Sequence, residues 1–182
     1  MKHGPLLLVM VAAVFASCSL DYGQSRLSNE LSEEIPDTVL TGVTHTVVRN
    51  NAVRFRITAA RVEAFTDENR QYLYEVGFTE YDADGAIRTD GTADFADFQT
   101  DTEDVELTGN LRFFSVPDEA WLQADYLYWN SDERQLTSNP DDPVVLEKSD
   151  GTYIVGRGFT AEMSESLIIF AGGVNGTIVD TE

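Results

Sequence analysis

The stretch VRFRITAARVEAF, residues 53–65, carries the pattern on which the fold prediction depends. Apolar side chains alternate with arginine or threonine from residue 53 to residue 59. Because successive side chains of a β-strand point to opposite faces, this alternation places the apolar set on one face. Ala60 follows Ala59 directly and moves the apolar set to residues 60, 62 and 64, as one extra residue in a β-bulge would do. The stretch therefore predicts a half-buried, bent strand.

The same alternation recurs after Thr38, for example in residues 72–78 (YLYEVGF) and 110–113 (NLRF). Turn-forming sequences such as 82–85 (DADG) and 139–143 (NPDDP) separate these runs. Many short strands with regularly spaced turns predict an all-β protein, which would be a sandwich, a jelly roll or a barrel.

The strands also recur as a set. Small residues near an acid stand at Ala60, Ala93, Ala124 and Gly158, which are 33, 31 and 34 residues apart. A second cue is a glycine that leads into a strand, at Gly42, Gly77, Gly109 and Gly172. A constant spacing of about 32 residues predicts one supersecondary unit stacked several times, and two strands with two turns fit that length. Repeated bulges would bend each unit and curl the stack into a trough, whereas a plain twisted sandwich is the alternative.

Composition restricts the classes of partner. The 182 residues include 32 Asp and Glu but only 12 Lys and Arg, so the net charge is −20. Such a chain is a poor ligand for nucleic acid, whose affinity comes from neutralising phosphates. It is equally unsuited to lie flat on an anionic membrane, because helices that do so are rich in Lys and Arg.

The N-terminus predicts export. Residues 1–17 combine a basic start, a short apolar run and small residues before Cys18. The run is too short to span a bilayer of about 30 Å as a helix. Ala-Ser followed by Cys18 resembles a bacterial lipobox, in which the thiol is acylated, although Phe15 stands where Leu is usual. An ordinary signal peptide with an incidental cysteine is the alternative.

Cys18 is the only cysteine, so an intramolecular disulfide is excluded. Residues 18–36 are polar and end at Pro36, which predicts an acylated cysteine on a flexible tether, with a short amphipathic helix as the alternative. Residues 37–182 then form the β-domain.

No residue pattern indicates catalysis, a metal ion or a cofactor. His45 lies on an alternating strand and is expected to be an exposed side chain. Asp94 and Asp97 are a pair of acids that nothing distinguishes from a solvated acidic face. Residues 82–85 faintly resemble a calcium loop, but a hairpin turn explains them better.

Aromatic residues are the unusual resource, at 10% of the chain. Core packing accounts for most of them. The functional interpretation is an interior left open to hold an apolar ligand, because small-molecule sites are concave and mostly apolar.

Several stretches, in this order, resemble the LptC family, the periplasmic bridge of the lipopolysaccharide export machine. They are residues 39–43 (VLTGV), 59–65 (AARVEAF), 81–85 (YDADG), 93–96 (ADFA), 107–111 (LTGNL), 121–130 (WLQADYLYWN), 136–144 (LTSNPDDPV), 154–159 (IVGRGF) and 171–176 (AGGVNG). The resemblance covers about residues 38–178 and implies a twisted, partly open antiparallel β-jelly roll whose trough shelters acyl chains.

The resemblance also implies partners and a role. A non-enzymatic lipid-transfer protein would receive lipopolysaccharide or a related glycolipid from the membrane subunits of an ABC transporter. It would pass the lipid to a second jelly-roll bridge protein joined by strand-edge pairing. By alternation and by position in the resemblance, we expect the following residues to face the trough: Phe55, Ile57, Tyr74, Val76, Phe78, Leu111, Phe113, Leu122, Tyr126, Val144, Leu146 and Ile154.

The family usually begins with a transmembrane anchor, whereas this chain has an apparent lipobox at Cys18. We therefore expect a lipoprotein-anchored variant that faces the periplasm, on either the inner or the outer membrane. The alternative function is a surface-exposed β-sandwich lipoprotein that binds a protein or glycan partner. A third class, an acidic hydrolase, would need two convergent carboxylates in a pocket.

Overall fold

The computed structural model describes residues 35–163 and 167–179, and its compact β-unit begins at Pro36. The described residues of this unit form one connected sheet of 12 antiparallel strands, with a single 3-10 turn at Thr66–Glu68. The predicted all-β class is confirmed. The strands are β1 (Thr38–Arg49), β2 (Ala52–Phe65), β3 (Arg70–Tyr81), β4 (Ile87–Gln99), β5 (Val105–Ser115), β6 (Ala120–Asn130), β7 (Gln135–Thr137), β8 (Pro143–Lys148), β9 (Tyr153–Arg157), β10 (Phe159–Glu162), β11 (Leu167–Phe170) and β12 (Val174–Thr177).

The sheet divides in two after β6. Strands β1 to β6 pair in chain order, and then Tyr128–Asn130 of β6 pair with β7 while Ala120–Gln123 of the same strand pair with β8. The path continues through β10 and β11 on one side and through β9 and β12 on the other. We call the two parts half-sheet A and half-sheet B. Half-sheet A comprises β7, β10, β11 and residues 38–41, 61–65, 70–74, 95–99, 105–108 and 126–130; half-sheet B comprises β8, β9, β12 and residues 43–49, 52–59, 76–81, 87–93, 111–115 and 120–124.

A row of irregular residues, here called the crease, separates the half-sheets. The cross-strand registers skip it in each long strand, at Gly42, Ala60, Glu75, Asp94, Gly109–Asn110 and Asp125. Gly42, Glu75, Gly109 and Asn110 have φ values of +61°, +52°, +79° and +48°. A left-handed residue cannot continue the pleat, so the strand breaks its ladder and bends there. Gly158, with φ +61°, separates β9 from β10 in the same way.

The strand bends near Ala60 as predicted, but the prediction that a β-bulge causes the bend is wrong. Pairing of β2 with β1 and β3 resumes beyond Ala60 without a register shift, so no extra residue is inserted. Ala60 and Arg61 are both exposed, and the buried set passes from Ala59 to Val62. The bend comes instead from the left-handed residues that lie opposite, Gly42 and Glu75.

The predicted repeat of about 32 residues is confirmed, and the crease explains it. Ala60, Ala93, Ala124 and Gly158 each lie at the crease or one residue from it on alternate crossings of the sheet. The glycines of the second cue lie at or near the crease on the strands in between: Gly42 in β1, Gly77 in β3 and Gly109 in β5, with Gly172 between β11 and β12. One repeat is therefore two strands, each of which crosses from one half-sheet to the other.

The core lies between the inner faces of the two half-sheets. Leu127 and Phe159 come from half-sheet A and Leu111 and Val144 from half-sheet B, and all four are at most 2% exposed. They belong to one apolar cluster. The two half-sheets are thus the layers of a jelly roll that is folded along the crease, and the core lies between them.

Candidate lipid-binding interior

An apolar stripe crosses the inner face of half-sheet B from strand to strand. Register partners connect Ile57 to Phe78, Phe113 to Leu122, and Leu146 to Ile154. Between Phe78 and Phe113 lies Gly91, whose missing side chain leaves room for the Phe113 ring. Because register partners share a face, these side chains form one continuous surface.

Ten of the twelve predicted trough residues lie on this inner face. They are Phe55, Ile57, Val76, Phe78, Leu111, Phe113, Leu122, Val144, Leu146 and Ile154. Val76, Leu111 and Val144 are buried in the core row beside the crease. The other seven are half-buried. The Phe55 and Phe78 rings stack with centroids 5.7 Å apart.

The prediction that Tyr74 and Tyr126 face inward is wrong. Leu73 and Leu127, their chain neighbours, occupy the inner face, which places both tyrosines on the outer face of half-sheet A. The Tyr74 hydroxyl donates a hydrogen bond of 2.9 Å to Glu63 Oε2, and burial followed by this bond raises the pKa of Tyr74. The cause is the crease, where two consecutive residues face outward and the inner set changes parity.

Sequence reasoning missed the inner face of half-sheet A for the same reason. Its larger apolar side chains include Leu73, Leu107, Leu127, Trp129, Leu136, Phe159 and Phe170. Gly109-Asn110 in mid-strand is the signal that could have found them. Both residue types tolerate left-handed conformations, and such a pair marks a place where the alternation of inward and outward side chains can shift by one residue.

The inner face is sealed in the middle and uncovered at both ends. Leu127 and Val144, in the middle, are 0% exposed. Leu40 on β1 is 50% exposed, although its register partner is the buried Val62. At the other end Ile168 on β11 is 48% exposed opposite the buried Ala161. Apolar inner-face side chains on the end strands β1 and β11 are therefore open to solvent.

His45 lies at the β1 end of the stripe. Its register partner is Ile57, which places it on the inner face, and it is exposed as predicted.

Among the described strands, three lie at edges of the sheet with one side unpaired. β1 pairs with β2, β11 with β10 and β12 with β9, and each is the last strand of its path. None of the three contains an Asp or Glu, although the chain has 32 of them. Edge strands that are unpaired and carry few charges can accept another chain's strand.

Several acidic residues have structural roles. Asp82 Oδ1 accepts hydrogen bonds of 2.9 Å from the backbone N–H groups of Asp84 and Ala86, so the faint calcium loop is a hairpin turn. Asp94 accepts a bond from the Asn110 amide, and burial raises the pKa of Asp97. Within residues 35–163 and 167–179, no group of three His, Cys, Asp or Glu side chains is arranged to hold a metal ion.

The predicted signal peptide (1–17), the acylated Cys18 and the tether up to residue 34 lie outside the described residues. In the described part of the chain, no helix has the length and apolar character needed to cross a bilayer.

Comparison with known proteins agrees with this architecture. The fold is similar to that of LptH from Pseudomonas aeruginosa, described as the LptA-homologous periplasmic component of the conserved lipopolysaccharide transport device. The TM-score is 0.52 at 12% identity, and the match covers 69% of this chain and 95% of LptH. No curated protein shows significant sequence similarity. Residues 5–179 match the family described as Lipopolysaccharide-assembly, LptC-related. The chain therefore belongs to the LptC-related lipopolysaccharide-assembly family.

Proposed function

We propose that this chain is a non-enzymatic periplasmic carrier in a lipopolysaccharide transport bridge. It would receive lipopolysaccharide or a related glycolipid from an ABC transporter and pass it along stacked jelly rolls. Membership of the LptC-related family and the likeness to LptH support this role. The observation that carries it is the apolar inner face, whose side chains are exposed at both uncovered ends, as with Leu40 and Ile168.

Acyl chains are the ligand that this surface suits. Each methylene removed from water contributes about 0.8 kcal/mol, so a long lipid tail needs a long apolar surface. The stripe from Ile57 to Ile154 provides one, and its half-buried side chains still have area to cover. We propose that lipid contacts the seven half-buried predicted residues, while Val76, Leu111 and Val144 chiefly form the floor beneath them.

The edge strands suggest how the carrier joins its partners. β1 crosses both half-sheets, with a bend at Gly42 and a register shift between Val47 and Val48, and it presents 12 residues with an open edge. A second jelly-roll protein that pairs there, or at β11 and β12, would extend both half-sheets and the interior between them. We propose one such bridge protein and the transporter's membrane subunits as the occupants of the two ends.

The anchor is proposed to be an acylated Cys18 that holds the domain to a membrane, facing the periplasm. Stable anchoring requires more than one acyl chain or a second signal, and bacterial lipoproteins with two or three chains meet that requirement. Metabolic labelling with palmitate should mark the chain and should fail with Cys18→Ser.

Site-specific photocrosslinking in cells tests the carrier role. Benzoylphenylalanine at Leu122, on the inner face, should give a lipopolysaccharide adduct. The same probe at the next residue, Gln123, points to the outer face and should give none. Equal labelling at the two positions, or none at Leu122 in a folded protein, would contradict the proposal. The latter result, together with protein or glycan adducts on the outer face, would favour the β-sandwich lipoprotein instead.

A further inference from the structure

Aromatic side chains lie on the outer faces of both half-sheets. On half-sheet B, Arg112 lies 4.1 Å from the centre of the Trp121 ring, and Phe114 packs beside that ring. Exposed Thr44, Thr58 and Thr92 lie elsewhere on this face, in register on either side of Gly77. Half-sheet A bears a larger patch of outward-facing aromatic side chains. They are Phe65, Tyr72, Tyr74, Phe95, Tyr126 and Tyr128.

The first part of this patch already binds an arginine. The guanidinium of Arg61 lies 5.9 Å from the centre of the Tyr74 ring and forms an ion pair with Glu63. Glu63 also accepts a hydrogen bond from the Tyr74 hydroxyl, so one carboxylate orients both the ring and the cation. A cation over an aromatic face is attracted by the negative π-surface.

A second arginine repeats the arrangement one strand further. The Arg70 guanidinium lies 5.8 Å from the centre of the Tyr72 ring, and its Nε is 3.2 Å from Asp97 Oδ1. Asp97 is the register partner of Tyr72, so tyrosine and carboxylate stand side by side on the same face. Two neighbouring positions on this face thus combine a tyrosine ring, a carboxylate and an arginine.

A third position has the ring and the carboxylate without the arginine. Glu106 is the register partner of both Asp97 and Tyr128, and Tyr126 lies two residues from Tyr128 on the same face of β6. Burial, followed by the negative charge of Glu106, raises the pKa of Tyr126. Glu106 is exposed, and the ion pairs among the described residues do not include it. The arginine–ring contacts found in this part of the chain likewise involve neither Tyr126 nor Tyr128.

We propose that Glu106, Tyr126 and Tyr128 form a docking position for an arginine side chain of a partner protein. The occupant pairs its guanidinium with the Glu106 carboxylate and lies close to a tyrosine ring, as Arg61 and Arg70 do within the chain. The position lies on the outer surface and is independent of lipid in the interior.

Charge and shape select this occupant. The net charge of −20 makes a second copy of this chain a poor partner, whereas a basic segment is attracted to the face. Arginine is favoured over lysine because its planar guanidinium can stack on a ring and bond a carboxylate at the same time, whereas an ammonium acts as a point charge.

Peptide titration of the purified chain tests the proposal. Fluorescence anisotropy would compare labelled tetra-arginine and tetra-lysine peptides, with Glu106→Gln as the test variant and Asp84→Asn as the control. Both variants remove one exposed negative charge, but Asp84 lies in the β3–β4 turn. We expect tetra-arginine to bind about five-fold more tightly than tetra-lysine. Glu106→Gln should weaken the arginine peptide by about five-fold and Asp84→Asn by less than about two-fold.

Two results would overturn the proposal: equal affinity for the two peptides, or equal weakening by the two variants. Either would mean that the peptides sense only net charge. Tyr126→Leu adds a second variant, which should reduce the preference for arginine over lysine. Since Tyr126 is half-buried, near-UV circular dichroism should first verify that the Tyr126→Leu variant is folded.

Discussion

The Phe170 ring of β11 packs directly on Gly156 of β9. A Cβ built on Gly156 would lie 2.2 Å from Phe170 Cδ1, far inside van der Waals contact. Gly156 is the register partner of Val144 in half-sheet B, and Phe170 is the register partner of Phe159 in half-sheet A. One glycine therefore lets the two half-sheets close on each other just before the C-terminal edge.

Gly156→Ala is expected to destabilise the domain by about 1–3 kcal/mol, because the added methyl group must displace the Phe170 ring. Urea unfolding measures the change. Asn175→Ala, on the exposed neighbouring strand β12, is the control and should stay within about 0.5 kcal/mol of the parent protein. A neutral Gly156→Ala would show that Phe170 does not pack on this position.

Two leucines on the same inner face should respond differently to truncation. Leu127 is 0% exposed, so Leu127→Ala should lower the free energy of unfolding by about 2–5 kcal/mol. Leu40 is 50% exposed at the β1 end, and Leu40→Ala should cost less than about 1 kcal/mol. Chemical denaturation of both variants checks the pair. Similar losses would mean that the β1 end is packed as tightly as the centre.

Two aspartates should affect the pH dependence of stability with opposite signs. Burial raises the pKa of Asp97, with Arg70 opposing, so its ionised form disfavours folding as pH rises through the folded pKa. The Ser131 backbone N–H, which donates to Oδ1 at 2.8 Å, and the Tyr128 hydroxyl lower the pKa of Asp104. Asp104 therefore stabilises the fold above its unfolded pKa, and that stability is lost as pH falls through its folded pKa.

At pH 7, Asp97→Asn should accordingly raise the thermal midpoint and Asp104→Asn should lower it. At about pH 2.5, where both carboxyl groups are largely protonated in the unfolded chain, the gain from Asp97→Asn should vanish and the loss from Asp104→Asn should shrink. Melting curves of both variants at the two pH values measure this. If both substitutions moved the thermal midpoint in the same direction at pH 7, the opposite roles of Asp97 and Asp104 would be refuted.

The bend at Glu75 can be tested with glycine. Because Glu75 has φ +52°, replacing it with glycine relieves a left-handed conformation that costs an L-residue about 1 kcal/mol. Glu75→Gly should therefore leave stability unchanged or raise it. Glu147→Gly, at an exposed site in the regular strand β8, should lower stability by about 1 kcal/mol. Thermal unfolding of the two variants decides whether the crease depends on this residue's conformation.

Much of the architecture follows from local pattern. The alternation of residues 53–59 predicted a strand, and the spacing of Ala60, Ala93, Ala124 and Gly158 predicted the two-strand unit, because both record how a single strand is built and where it bends. Ten of the residues predicted to line a trough also lie on one inner face, since within one half-sheet the parity of side chains is constant.

The positions of Tyr74 and Tyr126 were decided only by the tertiary structure. Glu75 is not a glycine, and nothing in its own side chain shows that it adopts a left-handed conformation. Its left-handed conformation lies at the crease, where the change of parity turns Tyr74 outward, and the same change at Asp125 turns Tyr126 outward. The division of β6 between β7 and β8 likewise depends on distant strands that compete for its two ends. The sequence by itself determined the strands and their repeat, because these follow from local side-chain alternation, whereas the two-faced interior arose from long-range pairing across the bend.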